Sequence, residues 1–272
     1  MNTFNITDFY KRCDALVRDW QYKKTPNNDP FLTKEKSSNV LLQKNYWNLM
    51  PEPFWGNPEN CYAVIINLNP GYSKYDKEYI GRDVITKKLR NGYSDFAITN
   101  PYFIDASFHP AATAWWSNRL NWMHKAFGCF NDPRYPFMLE LCPWHSKKWA
   151  ETGITTFTEE QKEYIKQNVL APAAFASKEN NRPIISIGKA EKIYQQLGFK
   201  LVKFWGPGKH EGLDWPLRKD MGKKNVHFDY YRHQEDEKIK LINIWMKGSN
   251  HTPSDEFLDI ERYIIRNIIL EA

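Results

Sequence analysis

The stretch Tyr62-Ala63-Val64-Ile65-Ile66-Asn67-Leu68-Asn69-Pro70-Gly71-Tyr72-Ser73 decides the fold. Its first part, Tyr62–Leu68, is apolar and rich in β-branched residues, the pattern of a strand buried on both faces. It stops at Asn-Pro-Gly, residues that turn a chain. Three further segments read the same way: Phe137–Leu141, Ile184–Ile187 and Lys240–Trp245. Each is short and ends abruptly in Gly, Pro or polar residues.

Helical patterns lie around these strands. Thr7–Lys23 puts Phe9, Cys13, Leu16, Val17 and Trp20 on one face, and Ala112–Phe127 is rich in aromatics. Trp115, Trp116 and Trp122 in that second segment fall at helical spacing and read as core. Thr158 with Gln161 forms a capping box for a helix running towards Ala176. Lys189–Leu197 and Asp255–Leu270 follow the third and fourth strands, the latter with Ser254 as its N-cap. Strands alternating with helices define an α/β protein, here a three-layer α/β/α arrangement with a mainly parallel, four-stranded central sheet. Leu201–Trp205 and Val226–Tyr230 read as extra edge strands or a hairpin placed before the last core strand. The domain reading is an N-terminal helical extension over residues 1–60, then one α/β domain over 61–272 with an insertion around 205–232.

Composition narrows the function classes. The formal charge of +6 tolerates an anionic partner without requiring one, since nucleic-acid binding needs charge gathered on one face. The chain holds 11 Trp, 15 Tyr and 16 Phe; most of these rings are expected in the core, and a minority at a cleft could stack on bases. Cys13, Cys61, Cys129 and Cys142 stand singly with no CxxC pair, which signals neither zinc nor an iron–sulfur cluster and suits a reducing cytoplasm. No cofactor or metal is expected. The N-terminus reads without a secretory signal, and no apolar run is long enough to span a membrane. Gly206-Pro207-Gly208-Lys209-His210-Glu211-Gly212 lacks the spacing of a phosphate-binding P-loop.

Open parallel sheets bind ligands beyond the carboxyl ends of their strands. The four strand exits here are Asn69-Pro70-Gly71-Tyr72-Ser73, Cys142-Pro143-Trp144-His145-Ser146, Gly188-Lys189-Ala190, and Lys247 through Ser254. Together they bring amides, imidazoles, hydroxyls, an ammonium and glycines to one rim. A purely structural sheet has no need of that concentration.

Three of these exits carry a resemblance. Ile65 through Ser73, a strand running into Asn-Pro-Gly and then Ser, resembles the first motif of the uracil-DNA glycosylase superfamily, especially its mismatch-specific uracil and thymine branch. Ile242-Asn243-Ile244-Trp245 leading to Asn250-His251-Thr252-Pro253-Ser254 is similar to the second motif, a strand ending in His-Pro-Ser or a variant. Ile185-Ser186-Ile187-Gly188-Lys189-Ala190 matches a strand, Gly-Lys step and helix found between them. The order of elements agrees from about Cys61 to Ala272. Thr252 separates the expected His-Pro pair, no leucine wedge follows, and Asp255 and Glu256 stand in the exit loop.

The resemblance implies hydrolysis of an N-glycosidic bond in DNA, releasing uracil or another altered base. Asn69 and His251 would be the catalytic residues: the Asn69 carbonyl accepts from and orients water, while His251 donates to the charge developing on the base. Asn69 capping its own turn, and His251 bonded to backbone, are the alternatives. Substrate contacts would come from Pro70, Gly71, Tyr72, Ser73, Trp144, His145, Lys189 and Asn250. Tyr72 would stack on a flipped base and Lys189 would meet phosphate. A rival reading keeps the pocket but not the cleavage, as a module sensing a nucleobase, nucleotide or nucleic-acid end; a hydrolase of free nucleosides is a third.

Overall fold

The computed structural model describes residues 4–22, 29–32, 41, 46–73, 75–99, 110–127, 134–182, 184–188, 190–206, 209–210, 226–237 and 239–246. Among the described residues eight strands form one mixed sheet: β1 (Phe54–Trp55), β2 (Cys61–Asn67), β3 (Tyr135–Glu140), β4 (Ile184–Ile187), β5 (Phe199–Gly206), β6 (Lys209–His210), β7 (Val226–His233) and β8 (Lys240–Met246). Their order across the sheet is β1-β3-β2-β4-β8-β7-β5-β6.

The four strands expected from the sequence are neighbours and mutually parallel, β3-β2-β4-β8. Val64 pairs with Ile184, Ile65 with Ile185 and with Met138, and Ile185 with Ile242. These residues are buried because helices pack around the sheet, which is why their sequence shows continuous apolar runs rather than alternation.

The sheet is larger and more mixed than the four-stranded one expected. On one edge β1 pairs antiparallel with β3, Phe54 opposite Leu139. On the other, β7 pairs antiparallel with β8 and β5 with β7. The segments Leu201–Trp205 and Val226–Tyr230, expected as extra edge strands or a hairpin, lie within β5 and β7 and widen the sheet.

The first helix, Ile6–Gln21, starts at Asn5, whose side chain accepts from the backbone amides of Thr7 and Asp8. It buries Phe9, Cys13, Val17 and Trp20 in the same apolar core as β2 and β3. Phe9 lies 5.0 Å from the Phe54 ring and 6.3 Å from that of Phe137. The N-terminal segment thus closes the core beside β1 and β3.

The expected capping box is present: Thr158 Oγ1 accepts from the Gln161 amide, and Gln161 Oε1 accepts from the Thr158 amide. The helix beyond it runs Glu159–Ile165, passes through a π turn at Lys166–Leu170, and continues as Ala171–Asn180. Trp116 and Trp122 in the helix Pro110–Phe127 are buried, as core residues should be. Among the described residues no helix is long and apolar enough to cross a membrane. The segment Asp255–Leu270 lies outside the described residues.

Candidate functional site

From β2 the chain moves to β3 on one side, then returns to place β4 on the other. Such a reversal leaves a crevice at the carboxyl ends of the two strands that flank it, here β2 and β4. Asn69–Ser73 leaves β2 at this point and Gly188 leaves β4. Gly188 has φ +124°, and a Cβ placed on it would meet nothing within 4 Å. Its amide donates to the Ile244 carbonyl at 2.8 Å, fixing the β4 exit against β8.

Asn69 is held by three acceptors. Its Nδ2 donates to the Pro70 carbonyl at 2.7 Å, to Ser146 Oγ at 2.9 Å and to the Ser146 carbonyl at 3.4 Å. These fix which way the amide points, and they leave Oδ1 as its acceptor end. Ser146 is itself fixed: its amide donates to Pro70 at 3.1 Å and its hydroxyl to Lys148 at 2.9 Å. The β2 exit is thereby laced to the β3 exit. Pro70 is buried and Gly71 exposed, with nothing within 4 Å of a Cβ at Gly71.

Beyond Gly71, Tyr72 is half-buried, and the Lys147 ammonium sits 5.8 Å from its ring centre. The Ser73 amide donates to Asp76 Oδ2 at 2.6 Å, and the Ser73 hydroxyl accepts from Tyr75 at 3.3 Å. Ser73 thus closes its own turn, and Asp76 is buried beneath it.

The second strand exit turns its side chains inward. Trp144 is fully buried, and its Nε1 donates to Asp29 Oδ2 at 3.0 Å. Burial pushes the Asp29 carboxyl up to about 6, against the bonds it accepts from Phe31, Trp144 and Leu32. His145 is buried as well, with Nδ1 2.6 Å from the Gly71 carbonyl and Nε2 3.0 Å from that of Met50. Both residues were expected among the substrate contacts. In the structure the Trp144 indole faces Asp29, and the His145 ring faces Gly71, Met50 and Glu52, the first of these in the loop that leaves β2.

Under the rim, β2 and β3 end in a polar pair. Asn67 lies opposite Glu140, and its Nδ2 donates to Glu140 Oε1 at 2.9 Å. Burial raises the Glu140 carboxyl well above its ordinary range; the Asn67 amide opposes this and nearby Glu52 adds to it. Glu140 Oε2 is buried and has no hydrogen-bond partner among the described residues.

Of the residues expected in the site, Asn69, Pro70, Gly71, Tyr72 and Ser73 form one loop, His145 meets it at Gly71, and Trp144 is buried against Asp29. Lys189, Asn250 and His251 lie outside the described residues. Sequence reasoning missed Ser146 as a partner of Asn69, and missed Glu52, Asp76 and Glu140. Glu140 had a signal of its own, a charged residue inside the apolar run FMLEL. Glu52 and Asp76 had none, because their partners are distant or lie in a turn. Among the described residues no group of His, Cys, Asp and Glu could hold a metal ion. Comparison with protein-family models, with curated proteins and with solved structures found no match.

Proposed function

We propose that this chain is a DNA glycosylase of the uracil-DNA glycosylase type, hydrolysing the N-glycosidic bond of uracil or another altered base. One observation carries the reading: Asn69, in an Asn-Pro-Gly loop at the carboxyl end of β2 where the strand order reverses, spends Nδ2 on Pro70 and Ser146 and keeps Oδ1 as an acceptor. An amide so held can accept from a water and orient its lone pair towards a sugar carbon. The parallel core β3-β2-β4-β8 suits the α/β/α layering of that superfamily, and the motif at Ile65–Ser73 supports the same assignment.

In the reaction the bond between C1′ and the base nitrogen breaks and its electron pair leaves with the base. The water oxygen bonds to C1′, and the proton it sheds passes to the departing base or to solvent. Asn69 is too weak a base to drive this step, so its contribution is position. His251 would donate to the charge growing on the base.

The test is incubation of the purified protein with oligonucleotides carrying a panel of altered bases, followed by alkaline cleavage of abasic sites. Asn69→Ala should slow base release by orders of magnitude and leave DNA binding nearly intact. Equal rates for parent and variant would refute the role. A second reading, sensing without cleavage, draws support from Tyr72 beside Lys147 and from a loop without carboxylates at 69–73. It takes over if no base is released while nucleobase ligands bind; Tyr72→Ala should then weaken binding by about 1–3 kcal/mol, the usual value of one base–aromatic stack.

A further inference from the structure

Asn69 can orient anything only while its loop keeps one shape. The Pro70 and Ser146 contacts bind the loop to the β3 exit, and the next residue, Gly71, has a different anchor. Its carbonyl faces His145 Nδ1 at 2.6 Å. The other ring nitrogen, Nε2, lies 3.0 Å from the Met50 carbonyl and 3.0 Å from Glu52 Oε1. Glu52 is held in turn, its Oε2 accepting from Trp55 Nε1 at 3.0 Å. The side chains of His145 and Glu52 are only 2% and 3% exposed.

Carbonyl and carboxylate oxygens accept and do not donate. The Gly71 and Met50 carbonyls can only accept, so a ring bonded to both carries hydrogen on both nitrogens and is an imidazolium. We infer that His145, paired with Glu52, is a positioning residue: it ties the Gly71 carbonyl, and through it the loop Asn69–Ser73, to the segment at Met50–Glu52 beside β1. The value of this tie for catalysis rests on the glycosylase reading, but the tie itself does not.

A neutral ring has one N–H. It would have to turn a lone pair towards either Gly71 or the Met50 and Glu52 oxygens, and one anchor would be lost. Among the described residues the charged groups acting on the ring are Glu52, from the segment leading into β1, and Asp76, from the turn that closes the loop; Glu52 also acts on Glu140. Burial works against the charged ring, yet Glu52, Asp76 and the Gly71 carbonyl outweigh it and push His145 up to about 8. The tie is accordingly whole at neutral pH and lost as pH rises through that value.

The experiment follows His145 ring resonances by NMR against pH, together with hydrogen exchange of the Ser73 and Ser146 amides, corrected for the intrinsic pH dependence of exchange. Those amides bond to Asp76 and Pro70 within the loop. Parent protein should show His145 titrating above the ordinary value of 6.5, with loop protection falling over the same range. In Glu52→Gln the proton affinity of His145 should drop about tenfold or more, and the loss of loop protection should move down by the same interval, while β4 and β8 amides keep their protection. A parent His145 that titrates at or below 6.5 overturns the inference, as does loop protection indifferent to its titration. Neither readout requires activity. If the tie behaves as stated and no oligonucleotide loses a base, the positioning role stands and the glycosylase reading falls. If base is released with a pH profile that Glu52→Gln leaves unmoved, the reading stands and the positioning role falls.

Discussion

Glu140→Gln should make the protein more stable at neutral pH, and by more at pH 7 than at pH 5. Glu140 is buried, its Oε1 accepts from Asn67 Nδ2 at 2.9 Å, and Oε2 takes no hydrogen bond among the described residues. Burial raises this carboxyl well above its ordinary 4.5, so above that pH the folded chain holds a proton that the unfolded chain releases. Stability then falls as pH rises through the window, by at most about 1.4 kcal/mol per unit. From pH 5 to pH 7 the loss from this one group continues for as long as the folded chain keeps its proton. Glutamine has the same shape and no charge, and its Oε1 can keep the Asn67 bond. It leaves its second polar atom as unsatisfied as the protonated acid does, so near pH 5 the two proteins should be close in stability. Urea unfolding followed by circular dichroism at pH 5 and pH 7, at matched ionic strength, measures the difference directly. A gap between variant and parent that stays constant from pH 5 to pH 7 would show that Glu140 is ionised in the fold, and the reasoning would fail.

Two other outcomes follow from the same structure. Trp144→Phe removes the indole bond to Asp29 and should cost about 1.5–3 kcal/mol at pH 7, and less at pH 5 where the carboxyl, at about 6, is protonated; equal losses in urea unfolding at the two pH values would contradict this. Gly56→Ala should destabilise by at least about 2 kcal/mol, because φ is +87° there and a Cβ would run into the Pro136 carbonyl; an unfolding midpoint within error of the parent would refute the strain.

The parallel core was legible because burial on both faces writes itself as uninterrupted Val and Ile, most plainly at Tyr62–Leu68 and Ile184–Ile187. β1 was not, since Phe54–Trp55 is too short for a pattern to repeat. β5 and β7 were visible as extended segments, but their pairing depends on β8, which no local signal encodes. For the site, Asn-Pro-Gly after a strand announced the loop and its Asn69. The histidine tie to it stayed hidden. His145 meets Glu52 and Gly71 across long stretches of chain, and a sequence shows a histidine without showing what its two nitrogens face. Trp144 looked like a contact for the same reason: its position at a strand exit was legible, while its direction, towards Asp29, was not.

The place of β2 between β3 and β4 also bears on how the chain reaches this state. β2 is made early but cannot be flanked on both sides until β4 has been synthesised. Asn180, just ahead of β4, bonds back to the Cys61 amide across 119 positions of sequence. Closing so long a loop is entropically slow, and until it closes one edge of β2 has no partner. The antiparallel strands β5, β7 and β8 lie closer together in sequence and can pair with much less closure. Newly made chain should therefore expose the apolar edge of β2 longest, the place where a chaperone would bind and where aggregation would begin.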